Sequence, residues 1–270
     1  MPWRIFAHME RLLGKRVWIT GASAGLGEAL SRWAAREGAD LILSARRVSQ
    51  LESVRDRLHR ANAHQVVPLD LSAVAELSAI ASRVGPVDYL INNGGISQRD
   101  TALNTELAVT RRIMEVNFFG NVELTRCVLP GMLARRNGHI VTVSSVAGHI
   151  GTPLRSSYAA SKHALHGFYD SLRYEVEKEG VRVTILSPGY IRTDISRNAV
   201  VGDGSKKGTM DKRQSESMDP DTFAEKAWRG ILAGEPDVHI GGLELGGIYL
   251  KRYLPRVLDV VMRRRKWDSE

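Results

Sequence analysis

From residue 17 to residue 240 the chain alternates short apolar runs with longer amphipathic stretches, and that rhythm restricts it to one architecture. Strand-length runs separated by helix-length stretches read as a parallel sheet whose strands are joined by crossover helices. The pattern predicts strands over 17–20, 40–45, 64–69, 87–91, 139–143, 181–186 and 237–240. Helices are expected over 26–37, 50–60, 73–84, 105–136 and 157–179, with a break in the fourth near Leu129-Pro130. Seven strands with helices on both faces make a doubly wound α/β domain. No repeat and no linker divides the chain, so all 270 residues are read as a single domain with its core over about 14–242.

Composition removes several function classes. A balance of 43% hydrophobic and 25% charged residues is globular and argues against disorder. Cys127 is the one cysteine, so neither an intrachain disulfide nor a thiolate metal cluster can form. His139, His149, His163 and His166 are not spaced with acids as ligands, and no metal is expected. The net charge of +8 gathers at the ends: Arg11, Lys15 and Arg16, then Lys251, Arg252, Arg256, Arg263, Arg264, Arg265 and Lys266. With no reader motif beside it, that distribution does not describe a nucleic-acid groove. No apolar run reaches the ~18–20 residues of a membrane span, and the start carries no signal-peptide core. The expectation is a cytoplasmic protein, at most peripheral to a membrane.

Between the first strand and the first helix lies Thr20-Gly21-Ala22-Ser23-Ala24-Gly25-Leu26-Gly27. Glycines there permit a tight turn and close approach of a pyrophosphate to the N–H groups at the helix start. A purely structural turn would read the same way. At the end of the second strand, where an acid would take the ribose 2′-hydroxyl of NAD, the chain has Ser44-Ala45-Arg46-Arg47. Arginine suits a 2′-phosphate, so NADP(H) is the expected cofactor, with Arg46 the first candidate and Arg47 the second. Tyr158 and Lys162 stand four residues apart and share one helical face. A nearby lysine should favour the phenolate and make Tyr158 a usable acid and base. Ser145 closes the fifth strand thirteen residues earlier, and Asn117 lies on the preceding helix.

Together these residues resemble the short-chain dehydrogenase/reductase family. TGxxxGxG, NNAG, SSxxG ahead of YxxxK, and PGxxxT occur in order over roughly 16–239. The resemblance implies a single-domain Rossmann fold and a hydride transfer between nicotinamide and a carbonyl or alcohol carbon. It assigns Ser145 to the substrate oxygen, Tyr158 to its proton, Lys162 to the nicotinamide ribose and Asn117 to a water beside Lys162. Gly21, Ser23, Ala24, Gly25, Leu26 and Gly27 would cradle the cofactor. Asp70 and Leu71 would meet the adenine, and Asn92, Asn93 and Gly94 the adenine ribose. Pro188, Gly189, Ile191 and Thr193 would lie by the carboxamide. The family usually has alanine within Asn92-Asn93-Gly94-Gly95, so a slightly looser turn is expected here.

Substrate contacts are expected from Ser145, Tyr158, His149 and Tyr190. The polar stretch 196–219, within a possible lid over 194–220, fits a mobile cover or a tolerated insertion. The basic tail, 246–270, has apolar residues at 254, 257, 258, 261 and 262 on one helical face. That pattern suits a membrane surface, a partner subunit or the chain's own domain alike. Lid and tail also resemble a subgroup with the 11β-hydroxysteroid dehydrogenases and dehydrogenase/reductase member 7 proteins, which implies a small lipophilic substrate. Family habit implies a homodimer or homotetramer. The rival reading is a catalytically silent NADP(H)-binding sensor or scaffold, which would be expected to lack one of Ser145, Tyr158 or Lys162.

Overall fold

The computed structural model describes residues 11–211 and 215–264. Seven strands form one parallel sheet in the order β3-β2-β1-β4-β5-β6-β7. They are β1 Arg16–Thr20, β2 Asp40–Ala45, β3 Gln65–Pro68, β4 Tyr89–Asn92, β5 Gly138–Val143, β6 Val181–Pro188 and β7 Asp237–Ile240. Helices α1 Gly25–Arg36, α2 Val48–Asp56 and α3 Leu77–Val84 serve the first half of the sheet. In the second half, α4 Leu107–Met114 runs through a π turn, Glu115–Phe119, into α5 Gly120–Ala134. Then come α6 Ser156–Val176, α7 Pro220–Ala233, α8 Gly246–Tyr253 and α9 Pro255–Arg264.

Alternation along each strand divides the core into two layers. Val17 and Ile19 join a cluster with Leu30, Leu51, Phe223 and Trp228, covering the face under α1 and α7. Trp18 points the other way, among Leu77, Leu124, Leu165 and Tyr169 under α3, α5 and α6. The buried indoles keep their N–H groups satisfied, Trp18 to Ser44 Oγ at 2.8 Å and Trp228 to the Leu30 carbonyl at 3.0 Å. The strand order reverses between β1 and β4, and ligands of such sheets bind at the carboxyl ends of the strands beside that reversal.

Three expectations need correction. The fourth helix is not broken at Pro130, which lies inside α5 on its exposed side, where water can take the freed carbonyl. The irregularity falls at the π turn instead. Helix α2 stops at Asp56 rather than residue 60, because Arg60 turns left-handed (φ 59°) and bonds the Gly38 carbonyl at 2.8 Å. The third helix proper begins at Leu77, after a 3₁₀ turn over Val74–Glu76.

The polar stretch after β6 is a structured strap. Val200 bridges to Gln98 and to Lys206, Ile191 bridges to Met218, and Ala199 and Val200 are buried. It leads to α7, whose N-cap Asp219 accepts the Asp221 and Thr222 N–H groups at 3.0 and 2.9 Å. The tail folds back as α8 and α9, with Leu258 buried against Val146 and Ile150. Leu254, Val257 and Val261 of the expected apolar face remain exposed. Arg265, Lys266 and Trp267 lie outside the described residues. Among the described residues no helix is long and apolar enough to cross a membrane.

Candidate active site

The strand ends open into a cavity of about 1180 Å³. Gly21 ends β1 with φ +65°, and a Cβ there would lie 2.8 Å from Asn93 Nδ2 and 2.9 Å from Gly94 Cα. A Cβ on Gly27 would lie 2.3 Å from the Gly21 carbonyl oxygen, so the first turn of α1 closes on the end of β1 only without side chains. Ala24 at the N-cap supplies no capping oxygen, which leaves the helix start available to an anion. The partner wall is pinned by Thr20, whose Oγ1 accepts the N–H groups of Asn93 (3.0 Å) and Gly94 (2.9 Å). A methyl at Gly94 would meet Leu71 Cδ1 at 2.6 Å. The glycine that replaces the family's alanine therefore leaves room for the Leu71 side chain.

Arg46 and Arg47 line the same end, and Arg47 donates to Ser23 Oγ at 3.2 Å. Burial works against ionisation of Asp70. Hydrogen bonds from Ser72 and the charges of Arg46 and Arg112 outweigh it and hold the carboxyl below its ordinary range. Asn92 does not border the cavity. Its amide donates to Thr125 Oγ1 (2.8 Å) and Tyr169 Oη (3.0 Å), fixing β4 to α5 and α6. Asn93 and Gly94 form the wall instead. The glycine turn with its uncapped helix start, and the Asp70 carboxylate as an acceptor, fit a nicotinamide dinucleotide.

At the other end Ser145, Tyr158 and Lys162 share one wall. Ser145 caps the 3₁₀ turn Val146–Gly148, accepting the Ala147 N–H at 3.1 Å. Tyr158 and Lys162 project from the first turns of α6, with Lys162 Nζ 5.8 Å from the phenol centroid. Burial pushes the Tyr158 phenol up, while the Arg155 charge and the Ser145 hydroxyl pull it down. Lys162 stands on the same face of α6, within reach of the phenol ring. Its ammonium is turned to the Val143 carbonyl at 2.7 Å, and burial brings its own pKa down to about 8. Pro188, Gly189, Ile191 and Thr193 border the cavity between these ends, with Thr193 Cγ2 3.3 Å from where a Gly25 Cβ would be. Tyr190 borders it too, its N–H donated to Glu244 Oε1 at 2.9 Å.

Of the remaining candidates, Gly27, Asn117 and His149 do not line the cavity. Asn117 is wholly buried in the π turn. Its Nδ2 donates to the Ile96 carbonyl (2.9 Å) and Ser161 Oγ (3.0 Å), and its Oδ1 accepts the Ile96 N–H (2.8 Å). It thus staples the β4 loop to α6 at Ser161, the residue next to Lys162. His149 is hydrogen-bonded to Ser187 Oγ at 2.9 Å and packs on His166 and His239, which removes it from the predicted substrate contacts. The sequence reading passed over Arg155, Arg112 and Glu244, which line the cavity, and over Leu250, Leu258 and Met262 from the tail. Arg155, three residues before Tyr158, was open to detection; the tail's return to the site has no local signature. Among the described residues no group of three or more His, Cys, Asp or Glu side chains could hold a metal.

The sheet order, the glycine turn and the Ser-Tyr-Lys wall define a nicotinamide-dinucleotide oxidoreductase of the Rossmann type. Residues 15–202 match the family of short chain dehydrogenases, and the chain belongs to that family. A Drosophila melanogaster protein, dehydrogenase/reductase SDR family protein 7-like, is 42% identical over 266 residues, covering 95% of this chain and 82% of the relative. A short-chain dehydrogenase from Streptomyces avermitilis is similar in structure, with TM-score 0.79, 28% identity, and coverage of 93% of this chain and 98% of that one. Serine dehydrogenase complexed with NADP⁺ superposes with TM-score 0.76 and 26% identity, over 84% of this chain and 95% of its own.

Proposed function

We propose that the chain is an NADP(H)-dependent oxidoreductase that interconverts a carbonyl compound and a secondary alcohol. The observation that carries this reading is the convergence of Ser145, Tyr158 and Lys162 on one wall of a cavity whose far end holds the glycine turn and Arg46. The cofactor, when bound, supplies or accepts the hydride, which no side chain can. Gly21, Ser23, Ala24, Gly25 and Leu26 would hold its phosphates, with Gly27 letting the helix close behind them, and Arg46 with Arg47 its 2′-phosphate. Asp70 and Leu71 would hold its adenine. Lys162, Pro188, Gly189, Ile191 and Thr193 would hold its reactive end.

Ser145 Oγ donates to the substrate oxygen and orients the carbonyl carbon. Tyr158 Oη donates its proton to that oxygen as negative charge develops there, and takes it back in the reverse direction. In reduction one hydride and one proton are added across the C=O bond, and Tyr158 is left as phenolate until solvent restores it. The raised phenol is protonated at neutral pH, the form that donates in the reduction step. Apolar side chains from Val146, Ile150, Leu250, Leu258 and Met262 suit a small lipophilic substrate.

The tail's outer face carries Tyr249, Tyr253, Leu254 and Val260 exposed beside Lys251, Arg252 and Arg256, which supports a peripheral membrane contact. Cosedimentation with anionic vesicles checks it. The family's habit of pairing through its two long helices, with Phe119 exposed next to α5, supports a homodimer or homotetramer, readable by light scattering. For the activity itself the test is loss of NADPH absorbance with cyclohexanone, acetophenone and menthone, beside NADH and a Tyr158→Phe control. Turnover that needs Tyr158 supports the reading. Tight NADPH binding without turnover of any ketone would favour the silent sensor.

A further inference from the structure

The Asp211 carboxylate is almost fully buried, at 2% exposure, and is faced by three cations from three segments. Arg99, in the loop after β4, donates to it at 2.7 Å, and Arg155, which precedes α6, at 3.1 Å. Lys207, within the strap, is the third. The Asp211 N–H donates to Ser196 Oγ at 3.1 Å, closing the strap on itself. Lys207 belongs to the strap itself, so Arg99 and Arg155 are the two that tie Asp211 to other segments of the fold. Arg155 is different, because it borders the cavity and its N-cap position starts the helix that carries Tyr158.

The same place carries backbone strain. Leu154 has φ +64°, a left-handed conformation that is uncommon for leucine. Its carbonyl accepts the Asp100 N–H at 3.0 Å, and Asp100 Oδ2 accepts the strap's Gly202 N–H at 2.9 Å. The Arg99 N–H donates to the Val200 carbonyl at 2.9 Å. Strap, 99–100 loop and the entry to α6 are thus one hydrogen-bonded unit centred on Asp211. Strained residues persist where surrounding contacts over-determine them, commonly beside functional groups.

We propose that Asp211 is a positioning residue for the proton-transfer step, its carboxylate holding the Arg155 guanidinium at the start of the catalytic helix and fastening the strap beside the substrate. The inference deepens the oxidoreductase reading and rests on it. Two charges face Tyr158, those of Arg155 and Lys162, together with the Ser145 hydroxyl. Arg155 is the one whose place depends on a second side chain. Removing a carboxylate near the site would by charge alone ease ionisation of Tyr158, whereas releasing Arg155 makes it harder. The two causes have opposite signs.

The test compares the full-length wild type with Asp211→Asn and Arg155→Met. One readout is the pH dependence of kcat/KM for cyclohexanol or menthol oxidation with NADP⁺. The other is hydrogen exchange of amides 155–160 and 197–208 without ligands. Both variants should raise the pH midpoint by roughly one unit. Asp211→Asn should also speed exchange in both segments. An unmoved or lowered midpoint in Asp211→Asn, or unchanged exchange over 155–160, overturns the inference. If the wild type oxidises no alcohol, the oxidoreductase reading fails and exchange alone decides the fate of Asp211. Should Asp211→Asn not fold, Asp211→Glu keeps the charge but displaces the carboxylate from its place against Arg155, and is held to the same outcomes.

Discussion

Tyr158 and Lys162 occupy one wall, yet their burial has opposite consequences. For Tyr158, loss of the hydroxyl in Tyr158→Phe removes the proton carrier without altering the ring's packing. The expected result is a fall in kcat of ~10²–10⁴-fold with NADPH affinity, read by fluorescence titration, nearly unchanged. For Lys162, burial depresses the folded pKa to about 8, below the ordinary 10.5 of the unfolded chain. The unfolded state then binds more protons above pH 8, so stability rises with pH across that window. A gain of about 2 kcal/mol from pH 8 to pH 10 is expected in urea unfolding of the ligand-free protein. Lys162→Met should lack it; a Lys162→Met curve parallel to wild type would place the dependence on another group. At the cofactor's far end, Arg46→Asp substitutes a carboxylate that repels a 2′-phosphate and suits a 2′-hydroxyl. The kcat/KM ratio of NADPH to NADH should drop at least ~10-fold, equivalent to about 1.4 kcal/mol. An unchanged ratio would transfer the role to Arg47.

The turn between β1 and α1 is the element on which cofactor binding depends. In Gly27→Ala the new methyl meets backbone rather than a flexible side chain, the Gly21 carbonyl oxygen at 2.3 Å, so the helix must draw back from the strand. Loss of measurable NADPH binding is expected with the far-ultraviolet spectrum retained; wild-type affinity would show that the turn can open at no cost. This element was legible in the sequence because glycine spacing is local, and the strands were legible because both faces of a parallel sheet are buried. Strand β2 and β7 bounds follow directly from those apolar runs. What sequence periodicity could not register was the π turn. It is set by tertiary contact: a Cβ on Gly120 would lie 2.2 Å from the Leu71 carbonyl oxygen, and Asn117 bonds across to Ile96 and Ser161. Proline at 130 gave a louder but misleading signal, since an exposed carbonyl four residues back can turn to water. His149 misled for a related reason. Proximity to Ser145 in sequence says nothing of side-chain direction after a 3₁₀ turn, and Ser187 takes the ring away from the cavity.

At the scale of the whole molecule the tail decides how the substrate end is shaped. Helices α8 and α9 are amphipathic by pattern, and the pattern alone could not say what they cover. The structure brings Leu258 onto Val146 and Ile150, next to Ser145, and places Leu250 and Met262 on the cavity wall. Much of the apolar wall of this end of the cavity is therefore built by residues about a hundred positions downstream of Ser145. Burying a leucine of this kind contributes ~1.5–3 kcal/mol, so the seat is strong enough to hold two short helices but weak enough to fail on one substitution. Leu258→Asp would place a carboxylate in that apolar seat and lift α9 from it. The glycine turn and Arg46 lie at the opposite end, so NADPH binding should persist. With the tail wall lost, the KM for menthone should rise ~10-fold or more, while the KM for cyclohexanone, which has less apolar surface to cover, changes much less. Equal rises for both ketones would mean that Leu258 supports the Ser145 turn itself rather than a substrate wall. Loss of NADPH binding would mean that the tail is part of the domain's cooperative core.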